Sequence, residues 1–200
     1  EFLPRCHVFD AGECTLVLDL VSSARSVSDY HRRTLHFPPA LGVSLGRALG
    51  TLHRLTRTAA ARAGYASRFR SHTPAILQMH RPALEAFTWM SHATFETIKM
   101  VQHSEGLRTA LDALCRDWRE DALIHSDARW DNFLVIGADR PPREMTVKLV
   151  DWEMAGAGDP CWDVGTIFGE YLSFWLVSSP AVRDIAPEDV VRFAPFPLRR

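Results

Sequence analysis

The chain has 200 residues, 46% hydrophobic and 24% charged, enough to bury a core in one domain or a little more. Its 23 basic and 24 acidic side chains leave a net charge of −1, so no global field draws it to nucleic acid or a membrane surface. Its four cysteines, Cys6, Cys14, Cys115 and Cys161, form no CxxC pair and no zinc spacing, so a reducing, cytoplasmic setting is expected. The apolar run 171–177 is far too short to span a bilayer, and no charged segment followed by an apolar one opens the chain as a signal peptide would.

Residues 15–21 alternate in polarity and predict a strand paired with 5–9 through a turn at Asp10-Ala11-Gly12. Ser26 or Ser28 is placed to cap a short helix over 29–34, closed by Pro38-Pro39. Leu41, Leu45, Leu49, Leu52 and Leu55 form one helical stripe that fades near Ala63-Gly64. A second stripe runs through Leu84, Phe87, Thr94 or Phe95, Ile98 and Val101 until Gly106. A third runs through Leu107, Leu111, Leu114, Cys115 and Trp118. Short apolar runs at 122–124, 133–136 and 146–150 then predict small strands, and Asp159-Pro160 is a helix start leading into 162–177.

The predicted class is α+β: a short β-hairpin, then a mainly helical body with a small β-loop insert. Two stretches carry polar groups where chemistry needs them. In LIHSDARWDNFLV (123–135), His125, Asp127 and Asn132 lie in a loop between two strands. In LVDWEMAGAGDPCWDVG (149–165), Asp151 ends a strand. Singly, each is ordinary: a strand-end Asp commonly serves a turn, and a lone His is commonly a satisfied core residue. Together, a loop carboxylate, a carboxamide five residues on and a strand-end carboxylate are what Mg²⁺-assisted phosphoryl transfer uses. One group orients the attacking hydroxyl, and two supply hard oxygen ligands.

HSDARWDN resembles the HxDxxxxN catalytic loop of the aminoglycoside phosphotransferase and choline kinase-like family, whose fold is protein kinase-like. VDWEMAGAGDPCWDVG resembles that family's metal-binding segment and the GDPxxD after it. Leu45-Gly46, Leu49-Gly50 and Leu52-His53 are similar to the first helix of its larger lobe. The resemblance implies Asp127 as catalytic base, Asn132 and Asp151 as Mg²⁺ ligands, and His125 and Asp163 as supports of the catalytic loop. Backbone groups around Asp19 and Val21 would meet the adenine edge. Residues 1–22 would be the last strands of the small lobe and the hinge. Residues 23–200 would be the helical large lobe, with the catalytic loop at 123–135 and the metal segment at 149–165. Ser126 replaces the glycine usual after the histidine.

The implied activity is transfer of the γ-phosphoryl group of ATP, with Mg²⁺, to a hydroxyl of an antibiotic, amino-alcohol or sugar-like molecule. A peptide Ser/Thr acceptor and a non-catalytic, kinase-like binding role are the alternatives. The family's phosphate-covering loop and small-lobe lysine have no counterpart: the only lysines are Lys99 and Lys148. The 200 residues alone are therefore expected to be inactive. The small lobe would come from a longer form of the chain or from a second chain. Residues 121–200 carry a net −5, compatible with a cationic acceptor. Arg68, Arg70, Arg81, Phe87, Trp89 and Phe95, in the helical insert 65–120, do not suit a polycation.

Overall fold

A computed structural model describes residues 2–178 apart from 66, 70, 72 and 89; Arg70, His72, Trp89 and everything after Ser178 lie outside the described residues. The chain divides into two compact units interleaved in sequence. Among the described residues, one holds those up to 51, 127–154 and those from 161 on, the other 52–126 and 155–160.

In the first unit, strands β1 (Cys6–Asp10) and β2 (Thr15–Leu18) pair antiparallel, with Phe9 opposite Leu16 and Asp10 opposite Thr15. The Asp10 carboxylate closes the turn by accepting from the amides of Gly12 and Glu13. The expected strand to Val21 stops at Leu18, and both hairpin strands are exposed along their whole length. A three-stranded sheet has the order β3 (Arg25–Ser26), β5 (Phe133–Ile136), β6 (Thr146–Leu149). Helix α1 (Val27–Thr34) starts where Ser26 accepts from the Asp29 amide. Its end differs from expectation: Leu35 adopts φ 49° and caps the helix, and Pro39 opens α2 (Pro39–Thr56) instead of closing α1.

The stripe of α2 is Leu41, Leu45 and Leu49, each at most 1% exposed, whereas Leu55 lies open. The buried three pack with Val27, Tyr30, Phe133, Val135, Val147 and Leu149. The first unit is thus one core in which the α1–α2 apolar faces cover the β5–β6 ladder.

An aromatic group extends this core. The ring of His31, fully buried, lies 4.5 Å from Phe37, 4.7 Å from Trp130 and 5.4 Å from Tyr171. Its Nδ1 is 2.8 Å from the His36 carbonyl, and its Nε2 is 3.1 Å from the Tyr171 hydroxyl. Burial pulls the His31 pKa from 6.5 down to about 4 and pushes Tyr171 up to about 12.

The second unit pairs β4 (Ala122–Ile124) with β7 (Gly156–Gly158), register Ala122 to Gly158. Around them lie α3 (Ala59–Tyr65), 3₁₀ turns at Ala75–Gln78 and Leu84–Thr88, α4 (His92–His103) and α5 (Glu105–Asp117). Two expected helices are divided. Thr58 accepts from the Ala61 amide, which starts α3 as a helix separate from α2, and Ser91 caps α4 away from the 3₁₀ turn before it. Gly106 breaks nothing; Ser104 ends α4 and caps α5 by accepting from the Leu107 amide. The stripe of α5 is only half covered, with Leu107 and Leu114 exposed. Helix α6 (Pro160–Ser178) starts one residue after Asp159, as expected. No helix among the described residues is long and apolar enough to cross a membrane.

Two outcomes test this packing. His31 carries a folded-state pKa near 4 against 6.5 unfolded, so the unfolded chain binds the extra proton first. The stability of neutral His31 is intact above pH 6.5 and is lost as pH falls toward 4, by about 2 kcal/mol at pH 5. Urea unfolding at pH 7 and pH 5 should show that loss in the wild type and not in His31→Phe. At Gly158, an added Cβ would lie 2.9 Å from Ile124 Cγ1 and 3.1 Å from the Trp118 ring. Gly158→Ala should therefore lower unfolding stability by about 1–3 kcal/mol.

Candidate active site

The candidate site is built where the loop before Phe133 meets the β5–β6 ladder. Phe133 pairs with Leu149, and one step earlier the Val150 amide donates to the Asn132 carbonyl at 3.0 Å. That bond sets Asn132, just before β5, beside Asp151, just after β6. Residues eighteen apart in sequence, Asn132 and Val150, become backbone partners, and Asp151 follows directly.

Asp127 and Asn132 are joined more tightly. The Asn132 Nδ2 donates to the Asp127 carbonyl at 2.8 Å and to Asp127 Oδ2 at 2.9 Å. With both amide hydrogens so placed, Asn132 Oδ1 is turned away and keeps its lone pairs for a cation. The backbone of the same turn is closed by Arg129, whose amide donates to the Asp127 carbonyl and whose carbonyl accepts from the Asn132 amide. Asn132 is 6% exposed; the Asp127 side chain is one-third exposed and within reach of a small molecule.

Asp151 is exposed and adopts φ 65°, a left-handed conformation that Asp tolerates better than most residues. A 3₁₀ turn, Trp152–Met154, follows, and the Trp152 indole donates to the Leu149 carbonyl at 3.2 Å. No three His, Cys, Asp or Glu side chains converge on a common point among the described residues. A cation here would rest on Asn132 Oδ1 and an Asp151 carboxylate oxygen. Its remaining positions would go to ligand oxygens and water, a hard, incompletely protein-bound set that suits Mg²⁺.

The two residues expected to support the loop are buried. Asp163, in the first turn of α6, and His125, directly after β4, are both fully buried and partnered. Asp159 instead lies 3.9 Å from Arg119, within the second unit. Ser126, standing where the resemblance expects glycine, takes φ 68°. The position thus demands a left-handed backbone, and serine supplies it under strain.

Near the N-terminal hairpin, the Asp19 amide is already used by the Arg5 carbonyl at 2.9 Å, and the Val21 carbonyl accepts from the Ala24 amide. Among the described residues the Asp19 carbonyl and the Val21 amide make no hydrogen bond. The Asp19 side chain holds His7 Nε2 at 2.5 Å, and that bond draws its pKa below the usual carboxylate value.

Sequence reasoning did not single out two features of the site. Arg129 forms an ion pair with Asp127, Nε to Oδ1 at 3.0 Å; a cation two residues after the loop carboxylate was the available signal. Glu170 on α6 accepts from the Trp130 amide at 3.3 Å, a contact forty residues distant in sequence that no local pattern announces.

The family model described as "Phosphotransferase enzyme family" (APH) matches residues 21–186. The chain belongs to this family. A choline/ethanolamine kinase family protein from Mesorhizobium loti is similar in structure, with a TM-score of 0.51 and 21% identity over 84% of this chain and 50% of that one. Choline kinase LicA from Streptococcus pneumoniae aligns with a TM-score of 0.43 and 14% identity, covering 96% of this chain and 61% of that one. The fold is protein kinase-like, and the chain spans between half and two-thirds of the length of these structures. No curated protein matches by sequence.

The strain at Ser126 has a measurable consequence. Ser126→Gly should stay within about 1 kcal/mol of the wild type, while Ser126→Val should lose about 1–3 kcal/mol in denaturant unfolding.

Proposed function

We propose that the protein is an ATP- and Mg²⁺-dependent phosphotransferase acting on a hydroxyl of a small molecule. The observation that carries the reading is the coupled set Asp127–Asn132–Asp151. A loop carboxylate is fixed by a carboxamide whose backbone is bonded to Val150, the residue directly before an exposed strand-end carboxylate. Family membership supports it. Residues 1–22 would act as the end of a small lobe and a hinge, with the Asp19 carbonyl and the Val21 amide reading the adenine edge. The chain would work in the reducing cytoplasm.

In this reading Asp127 accepts a hydrogen bond from the acceptor hydroxyl, aims its oxygen in line with the γ-phosphorus, and takes the proton as the new O–P bond forms. ADP leaves with the electron pair of the broken bond. Asn132 Oδ1 and the Asp151 carboxylate would hold Mg²⁺, which neutralises phosphate charge when bound. His125 and Asp163, both buried, keep the loop's backbone in place.

For the acceptor, amino-alcohols are the first class to screen, followed by sugars and antibiotics. The net −5 of residues 121–200 favours a cationic molecule, and the structural neighbour's family name points the same way.

The test starts from nucleotide binding by the complete gene product. At ligand one hundred times Kd, Mg·ATP should add roughly 2.7 kcal/mol, on the order of 5–10 °C in unfolding temperature. Asp151→Asn should remove that shift. Asp127→Ala should leave it and lower phosphoryl transfer by about 10²–10⁴-fold. Absence of any shift would overturn the reading in favour of a non-catalytic role.

A further inference from the structure

The 3₁₀ turn Trp130–Asn132 opens without a cap of its own. Arg129 stands in the cap position, but its side chain makes no capping bond, and a guanidinium can only donate. Inside the turn the Asn132 amide donates to the Arg129 carbonyl at 3.0 Å, and the Phe133 amide donates to the Trp130 carbonyl. The Trp130 amide has no acceptor there. Its acceptor comes from α6, where Glu170 Oε2 takes it at 3.3 Å.

Glu170 holds an uncommon place for a carboxylate. Ile167, three residues before it, and Tyr171 and Phe174 after it all pack against the first unit's core. A half-buried carboxylate in that stripe carries a desolvation cost that an apolar residue would avoid. Among the described residues no cation pairs with it, and the Trp130 amide is its side chain's one hydrogen-bond partner.

That bond has leverage because a peptide unit is planar. The Trp130 N–H and the Arg129 carbonyl belong to one rigid unit and point opposite ways. Glu170 grips one end, and the other end receives the Asn132 amide. The tilt of this unit therefore sets the main chain of Asn132, from which the carboxamide reaches Asp127. Ring packing alone does not set it. The Trp130 ring is 3% exposed and lies 4.6 Å from Tyr171 and 4.7 Å from His31, yet its indole N–H has no partner among the described residues. Apolar contact holds the ring in place without direction; a hydrogen bond to the main chain supplies the direction.

We infer that Glu170 is a positioning residue: from α6 it caps the turn that carries Asn132 and so aims Asn132 Oδ1 at the metal ion. This rests on the phosphotransferase reading. Glu170 holds no ion and exchanges no proton; it acts through Trp130 and Asn132.

Calorimetric titration of the complete protein with ATP, once with Mg²⁺ and once with EDTA in its place, tests this without any acceptor. The wild type should bind Mg·ATP about tenfold or more tighter than metal-free ATP. Glu170→Leu, which keeps the stripe apolar, should shrink that ratio by about fivefold to tenfold and leave metal-free affinity unchanged. Glu170→Gln, whose amide oxygen still accepts from Trp130, should keep the ratio within about twofold. Amide exchange at Trp130, followed by NMR, should quicken about tenfold in Glu170→Leu and stay at the wild-type rate in Glu170→Gln. Glu170→Ala gives the same readings should the Leu variant fold poorly. An undiminished ratio in Glu170→Leu and Glu170→Ala, or an equal loss in Glu170→Gln, would overturn the role of Glu170 and leave the phosphotransferase reading standing. A wild type that binds no ATP, or binds it equally well without metal, would overturn both.

Discussion

The double donation from the Asn132 amide to Asp127 is the interaction on which the site depends. A single hydrogen bond would let the carboxamide rotate, and its oxygen would point at random. Two donations into one residue fix the amide plane, the Asp127 carboxylate and the direction of Asn132 Oδ1 together. Because Asn132 is buried, those bonds are shielded from competing water. The ladder bond from Val150 then brings Asp151 into the same neighbourhood. The first unit's core, with Phe133, Val135, Val147 and Leu149 inward, serves to keep β5 and β6 in that register.

The aromatic group around His31 supports the loop from its other side. Trp130 belongs to the 3₁₀ turn that carries Asn132, and its ring is packed by His31, Tyr171 and Phe174. Glu170 holds its amide. A loop made of polar residues is thus anchored through one large apolar side chain. An exposed carboxylate can stay rigid in this way without being buried itself.

Much of this was legible from residue types and spacing. The hairpin, the three short apolar strands, the Leu41–Leu45–Leu49 face and the start of α6 each have a local signal that tertiary packing had no reason to override. Asp127, Asn132 and Asp151 stand out by type and order, a loop carboxylate, a carboxamide five residues on and a strand-end carboxylate. Boundaries fared worse. Thr58, Ser91 and Ser104 end or restart helices through a single side-chain hydrogen bond, and nothing distinguishes them from serines and threonines elsewhere in the chain. Strands β3 and β7 were missed because two or three residues, Arg25–Ser26 and Gly156–Gly158, carry no periodicity. The Arg129 pairing and the Glu170 contact depend on side-chain direction, which spacing alone does not express.

Ser126 and Asp151 share a backbone hand that L-residues other than glycine, asparagine and aspartate seldom take. In the proposed reading, position 151 asks two things of one residue, a negative charge and a left-handed turn. Asparagine meets the second demand and lacks the first, whereas alanine lacks the charge and resists the turn. Glutamate keeps the charge but adopts a left-handed backbone less readily than the shorter aspartate. The set of amino acids able to occupy position 151 is narrowed by chirality before any ligand is considered. A change to Asn there separates electrostatics from conformation more cleanly than truncation can.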